Sequence, residues 1–223
     1  MEPVLTLERV RKVYRRGGAE VVALDDVSFT LGKGETVALV GPSGCGKSTT
    51  LNLASGVDRP DGGRVVACGI NVGAATEREL VELRRRRIGI VFQAFHLMPH
   101  LTVEENVALP LALDGRRDRD RVAELLARVS LAHRARHYPA ELSGGEQQRT
   151  AIARAVVQRP WLVLADEPTG NLDSGSGAAV IGLLEELRRA EGAAVLLATH
   201  DERLATIAES VLQMADGAIT ARF

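Results

Sequence analysis

Gly41-Pro42-Ser43-Gly44-Cys45-Gly46-Lys47-Ser48-Thr49 satisfies the pattern G-x-x-x-x-G-K-[ST]. It follows an apolar run, Thr36 to Val40, that reads as a buried strand, and leads into a helix over Thr49 to Ser55. Glycines at such a turn let successive backbone N–H groups face inward, and the helix N-terminus adds positive potential. That arrangement cradles phosphate. Lys47 is placed to reach the β- and γ-phosphates of a nucleotide, and Ser48 to hold Mg²⁺ through its hydroxyl. Cys45 reads as a small side chain filling a variable position of the loop.

A second group of residues could use such a phosphate. Leu162-Val163-Leu164-Ala165-Asp166-Glu167 is an apolar strand ending in two carboxylates. Asp166 suits Mg²⁺ through water, because this hard cation keeps much of its hydration shell. Glu167 is then free to polarise an attacking water. Acidic residues also finish many ordinary strands, and Pro168, Thr169 and Gly170 support a plain turn. Downstream of a phosphate loop, the chemical reading is the stronger one. His200 follows the run Val195 to Thr199; a lone histidine there is usually structural or solvated. That strand is expected beside the Asp166 strand, which would bring the imidazole to the phosphate edge. His96, His100, His133 and His137 are assigned no role. Ser143-Gly144-Gly145-Glu146 has the spacing of a capping box, so it reads either as a well-capped helix or as an anion site at a helix start.

The elements that must hold these residues alternate. Residues 4–10, 21–31 and 63–70 are short runs rich in Val, Leu and Thr, separated by turns such as Gly32-Lys33-Gly34, and form a β layer. Thr76 to Glu79 is a capping box opening a helix with Leu80 and Leu83 inward; Arg84 to Arg87 closes it as a solvated end that complements the dipole. Ile88 to Phe92 is a strand ended by Gln93. From there to about 150 the pattern is helical, with a second capping box at Thr102 to Glu105 and a stripe of Val122, Leu125, Leu126 and Val129. Ala193 to Thr199 and Val211 to Met214 are further strands, with a helix at about 176–190. The reading is an α/β fold: a mostly parallel, helix-covered sheet with a helical insertion at about 94–150, all one domain over 1–223.

Composition excludes several classes. A formal charge of −1 supplies no field for nucleic acid or an anionic membrane. Two cysteines, Cys45 and Cys68, make neither a disulfide framework nor a zinc site, so a reducing cytosol is expected. Met1-Glu2-Pro3 does not read as a signal peptide, and the longest apolar runs, such as 193–198, are strand-sized. Any link to a membrane is expected to go through a partner.

Leu142-Ser143-Gly144-Gly145-Glu146-Gln147-Gln148-Arg149, standing between the phosphate loop and Asp166-Glu167, narrows the field to one superfamily. Over nearly its whole length the chain resembles the ATP-binding subunit of an ABC transporter. The resemblance implies a P-loop NTPase cassette with an antiparallel β layer and a helical subdomain, ATP and Mg²⁺ as ligands, and an integral membrane permease subunit as partner. It implies that the Ser143-Gly144-Gly145-Glu146 signature touches the γ-phosphate held by the opposite copy, in a head-to-tail homodimer closed over two ATPs. It makes His200, with Asp201, the γ-phosphate switch and Gln93 a contact to Mg²⁺ that links the site to the helical part. Tyr14 occupies the place of the aromatic that stacks on adenine. Asn171-Leu172-Asp173 matches the loop beside the partner's site.

Phe92 to Pro99, Leu101 to Val107 and Asp166 to Asp173 look like the lipoprotein-release and macrolide-export ATPases (LolD/MacB type) and a related cell-division ATPase. The expected function is ATP hydrolysis that drives a membrane partner for export or extraction of substrate, from the cytoplasmic face of the membrane. The alternative is a cell-division or envelope-signalling role in which no substrate moves. A repair ATPase would need a long coiled coil between Thr49 and Leu142, and there is no room for one; ribosome-acting relatives usually carry two cassettes. The chain ends at Phe223, so no C-terminal regulatory domain is expected. In the stretch Ala94 to Leu101, Phe95, Leu97 and Met98 read either as packing beneath a loop or as an exposed cleft for a helix of the membrane partner.

Overall fold

A computed structural model describes residues 3–17, 19–200 and 205–223. Asp201 therefore lies outside the described residues. Among them the strands make two sheets. β1 (Leu5–Arg16), β2 (Ala19–Leu31), β4 (Gly62–Ala67) and β5 (Ile70–Asn71) form an antiparallel sheet in the order β2-β1-β4-β5. β3 (Thr36–Val40), β6 (Ile88–Val91), β7 (Leu162–Asp166), β8 (Ala194–Thr199), β9 (Ser210–Ala215) and β10 (Ala218–Arg222) form the second, ordered β10-β9-β3-β8-β7-β6.

Within this second sheet β9, β3, β8, β7 and β6 run parallel, and β8 lies between β3 and β7. Between Thr36, Asp166 and Thr199 at their ends, the central strands β3, β7 and β8 are apolar throughout because both faces are covered. Side chains of a strand alternate in direction. Leu162 and Leu164 of β7 and Ala194, Leu196 and Ala198 of β8 therefore enter one core cluster, shared with the antiparallel sheet. Val163, Ala165, Val195 and Leu197 enter the other, beneath the helices.

The helices are α1 (Lys47–Ala54), α2 (Glu77–Arg86), α3 (Val103–Leu113), α4 (Arg119–Arg128), α5 (Gly144–Val156) and α6 (Ser174–Glu191). Thr76, Thr102 and Ser143 all close the capping boxes expected of them, each with the glutamate three residues on. Leu80 and Leu83 are buried, as are Val122, Leu125, Leu126 and Val129. α5 crosses close beneath β6: a Cβ added at Gly89 would lie 2.1 Å from the Ala155 carbonyl oxygen.

Three expectations change. The stretch 94–102 is not helical, and helix α5 continues to Val156, past the expected limit at 150. β10 was not anticipated; Asp216 and Gly217, with φ of 48° and 81°, form the two-residue turn that pairs it antiparallel to β9. An Asp-Gly pair after an apolar strand is a hairpin signal, so this strand was legible. The arginine run is only partly solvated. Arg85 and Arg86 are exposed, but Arg84 bonds Glu77 at 3.0 Å and Arg87 donates to the Cys68 carbonyl while stacking on Trp161.

Candidate active site

Parallel strands end on the same side of their sheet, and ligands of open α/β sheets bind at that edge. β3 runs there into Gly41, β7 ends in Asp166 before Glu167, β8 is followed by His200, and β6 leads to Gln93. The loop 41–49 is shaped by backbone crowding. A Cβ at Gly41 would meet the Met214 carbonyl oxygen at 2.2 Å and Cys45 Sγ at 2.8 Å. Gly46 has φ 108°, and a Cβ there would strike Ala23 O at 2.7 Å. Cys45 is buried in the core, which fits its reading as a small filler, while Pro42, Ser43 and Gly44 are exposed.

Lys47 opens α1 and is only 7% exposed. Its Nζ donates to the carbonyls of Gly41 at 2.7 Å and Pro42 at 3.1 Å, and lies 3.8 Å from Glu167 Oε1. A cation so placed is desolvated yet held mainly by carbonyl dipoles, which suits it to an anionic ligand on the open side. The Ser48 hydroxyl faces the Asp166 carboxylate closely enough to favour its ionised form. Burial raises the Asp166 pKa above its ordinary value, and the neighbouring Glu167 adds to this, against the opposing effects of Ser48 and Lys47. Two hard oxygen donors next to a phosphate cradle form a donor set for Mg²⁺.

Glu167 holds a left-handed backbone, φ 45°, which costs a non-glycine residue on the order of 1 kcal/mol. Its N–H donates to Ala198 O at 2.9 Å and its carbonyl accepts from Gly170 N at 3.0 Å, so the β8 edge and the following turn fix it. Its Oε2 lies 2.8 Å from His200 Nδ1. β7 and β8 are neighbours as expected, with Asp166 opposite Ala198. The direct contact between glutamate and histidine could not be read from their separate motifs.

A family model described as ABC transporter matches residues 24–170. The chain belongs to the ABC transporter family. It resembles the dimeric structure of MJ0796, described as a bacterial ABC transporter cassette, at 40% identity and a TM-score of 0.90, covering 98% of this chain and 97% of that one. A second structure, a dimeric post-hydrolysis state of the ATP-binding cassette MJ0796 bound to ADP and Pi, matches at 39% identity with the same TM-score and coverage. The chain is thus an ABC ATPase cassette.

The other positions expected of an ABC cassette form a second group. Ser143 caps α5, exchanging bonds with Glu146 at 3.3 Å and 2.8 Å, and the backbone N–H of Ser143 is the main reason the Glu146 carboxyl titrates below its usual range. A Cβ at Gly144 would touch Leu172 at 3.5 Å and Phe95 at 3.8 Å; one at Gly145 would crowd Ser176 Oγ at 3.1 Å. The signature turn therefore packs on the Asn171–Asp173 loop. Asp173 caps α6 through the N–H groups of Gly175 and Ser176, both at 3.0 Å. Gln93 is exposed and lies against Gly170, where a Cβ would come within 2.8 Å of its Nε2, and Asn171 donates to its carbonyl at 2.9 Å. Tyr14, on β1, donates to Asp58 at 2.9 Å, and its hydroxyl lies near Thr49, which puts the ring beside the end of the phosphate loop.

Two features differ from the sequence reading or were missed by it. Of the three apolar residues read either as packing beneath a loop or as an exposed cleft, only Met98 is exposed, at 44%; Phe95 and Leu97 are half-buried, and Phe95 packs beside Gly144. Buried polar residues were also overlooked. Asn106, fully buried, receives Met98 N at 2.7 Å and donates to Leu101 O at 2.9 Å, pinning the loop. Gln148, fully buried on α5, donates to Pro168 O at 2.7 Å. A polar residue at an inward position of an amphipathic helix was the available signal.

Proposed function

We propose that this cassette binds Mg-ATP at the 41–49 loop, closes head to tail with a second copy over two ATPs, and so drives an integral membrane permease. The observation that carries this reading is the convergence of Lys47, Ser48–Asp166 and Glu167–His200 on one sheet edge. Lys47 neutralises β- and γ-phosphate charge from within the loop, whose backbone N–H groups and helix start do the same. Mg²⁺, when bound, neutralises phosphate oxygens; Ser48 would hold it directly, Asp166 through water, and Gln93 from the β6 edge. Glu167 accepts the proton of the attacking water or orients it, and His200 faces the γ-phosphate.

Ser143, Gly144, Gly145 and Glu146 form a helix start that packs on Asn171 and Leu172 in its own chain. In this reading that anion-seeking end is completed by a partner's phosphate, and Asp173 then lies at the interface. Tyr14 stacks on the adenine. Among the described residues no helix is long and apolar enough to cross a membrane; in this reading the membrane component is a separate subunit, with the cassette docked on the inner face. A groove of about 390 Å³ between α2, β6, α3 and α5, lined by Val81, Leu109, Pro110 and Leu113, lies beside the Met98 loop and suits a cytoplasmic helix of that subunit. The wording of 92–107 and 166–173 supports a role in export or extraction of the lipoprotein-release and macrolide-export type. Phosphate release from Mg-ATP by the wild type, and its loss in Lys47→Ala, tests the core of this reading; turnover unchanged by that substitution would overturn it.

A further inference from the structure

Helix α5 grips the segment around Gln93 from both sides. Before it, Gln148 Nε2 reaches the Phe92 carbonyl at 3.5 Å while holding Pro168 O at 2.7 Å. After it, Arg154 Nη2 donates to Phe95 O at 2.7 Å and Nη1 to His96 O at 2.6 Å. Phe95 and His96 have φ of 59° and 48°, consecutive left-handed residues without a glycine. Non-glycine residues keep such a backbone only where surrounding contacts over-determine it. The forked guanidinium supplies that constraint, since its planar donors match two successive carbonyls as a lysine cannot.

The placement of this arginine is unusual for a structural residue. Burial lowers its pKa, and among the described residues no carboxylate pairs with it. A half-buried cation satisfied by carbonyl oxygens is a costly way to fill space that an apolar side chain could fill. Asn106 independently holds the far end of the loop at Met98 and Leu101, so Arg154 is not needed to close it. At the turn directly after Gln93, where the N–H groups of Phe95 and His96 bond Phe92 O and Ala94 O, Arg154 is the side chain that binds both of the following carbonyls.

We propose that Arg154 is a positioning residue, which sets the orientation of Gln93 toward the metal side of the site by clamping the left-handed turn at Phe95 and His96. The inference rests on the Mg-ATPase reading above and adds a residue outside every motif used for it. α5 begins at the signature turn and ends at this clamp, so a displacement of that helix moves Gln93 without any contact to nucleotide.

The experiment compares wild type with Arg154→Met, Arg154→Lys, Gln93→Ala and the Arg154→Met/Gln93→Ala double variant. Hydrogen exchange on the nucleotide-free chain reads the clamp: Arg154→Met should speed exchange at Phe95 and His96 on the order of tenfold, leaving the α3 amides unchanged. Arg154→Lys, which keeps the charge but offers no fork, should fold and fall between the two. The Mg²⁺ concentration for half-maximal turnover should rise by roughly tenfold or more in Arg154→Met and in Gln93→Ala alike, and no further in the double variant. Unchanged exchange at 95–96, or losses that multiply in the double variant, would overturn the proposal. A uniform rise in exchange with a lower Tm and unaltered Mg²⁺ activation would reduce Arg154 to a packing residue. A wild type without ATPase activity would instead sink the Mg-ATPase reading, and the exchange result would still decide the clamp.

Discussion

Glu167 Oε2 and His200 Nδ1 stand 2.8 Å apart, and the His200 backbone N–H reaches the same oxygen at 3.3 Å. An ionised carboxylate only accepts, so the bond places a proton on Nδ1 and leaves Nε2 as the outward nitrogen. The imidazole is 67% exposed while the glutamate is largely covered. The group proposed to activate water and the group proposed to face the γ-phosphate are thus one hydrogen-bonded unit, joined across neighbouring strands.

Glu167→Gln keeps the shape and an acceptor for Nδ1 but removes the base. Hydrolysis should fall on the order of 10²–10⁴-fold with ATP binding retained. His200→Ala should also slow turnover, and the double variant should be no worse than Glu167→Gln alone, because residues acting as a unit are non-additive. Single-turnover phosphate release measures this; Glu167→Gln turnover within tenfold of wild type would remove Glu167 from the role.

Assembly is tested on the hydrolysis-deficient chain. Glu167→Gln protein should be monomeric without nucleotide and dimeric with ATP by light scattering. Adding Ser143→Arg should keep one ATP per chain yet block the dimer, since the new cation occupies the partner's γ-phosphate position. A dimer indifferent to ATP and to Ser143 would rule out the head-to-tail arrangement.

On the proposed metal role, Asp166 trades stability for function. Its folded-state pKa lies above the ordinary 3.8, so the folded chain keeps a proton over a window where the unfolded chain has lost it. The stability it contributes is full below 3.8 and is lost as pH rises through the raised value. Asp166→Asn should therefore raise the Tm of the nucleotide-free chain near neutral pH by about 2–4 °C while abolishing turnover. The gain should shrink as the melts are repeated toward acid pH. A gain independent of pH would point to packing instead.

Coupling is tested at the exposed end of the loop after Gln93. Met98→Asp adds charge at a side chain that is 44% exposed, so the isolated chain should fold and keep its basal ATPase within about twofold. It should lose copurification with the permease and any stimulation by it. Phe95→Asp is the contrasting variant: Phe95 packs beside Gly144, so this change should also weaken the ATP-dependent dimer. A Met98→Asp chain that couples normally would move the docking site elsewhere.

The phosphate loop, the Asp166-Glu167 strand end and the signature turn were legible because each is a short-range pattern. Glycine spacing, a helix cap and an apolar run are enforced by backbone sterics and hydrogen bonding within a few residues. The same holds for the three capping boxes, and for β3, whose limits at Thr36 and Val40 follow from its continuous burial. The sequence by itself therefore determined the family, the α/β alternation and the residue types at the site. What it could not determine was which distant groups share a hydrogen bond. Glu167 meets His200 because β7 and β8 pair in a register that sets Asp166 opposite Ala198. Arg154 reaches the Phe95 and His96 carbonyls, just past Gln93, because α5 crosses β6 closely enough to require Gly89. The exposure of Met98 and the cover over Phe95 depend on where α5 and the Asn171 loop come to rest. Strand register and helix approach are fixed by side chains meeting over long separations in the chain, and no local pattern carries that information.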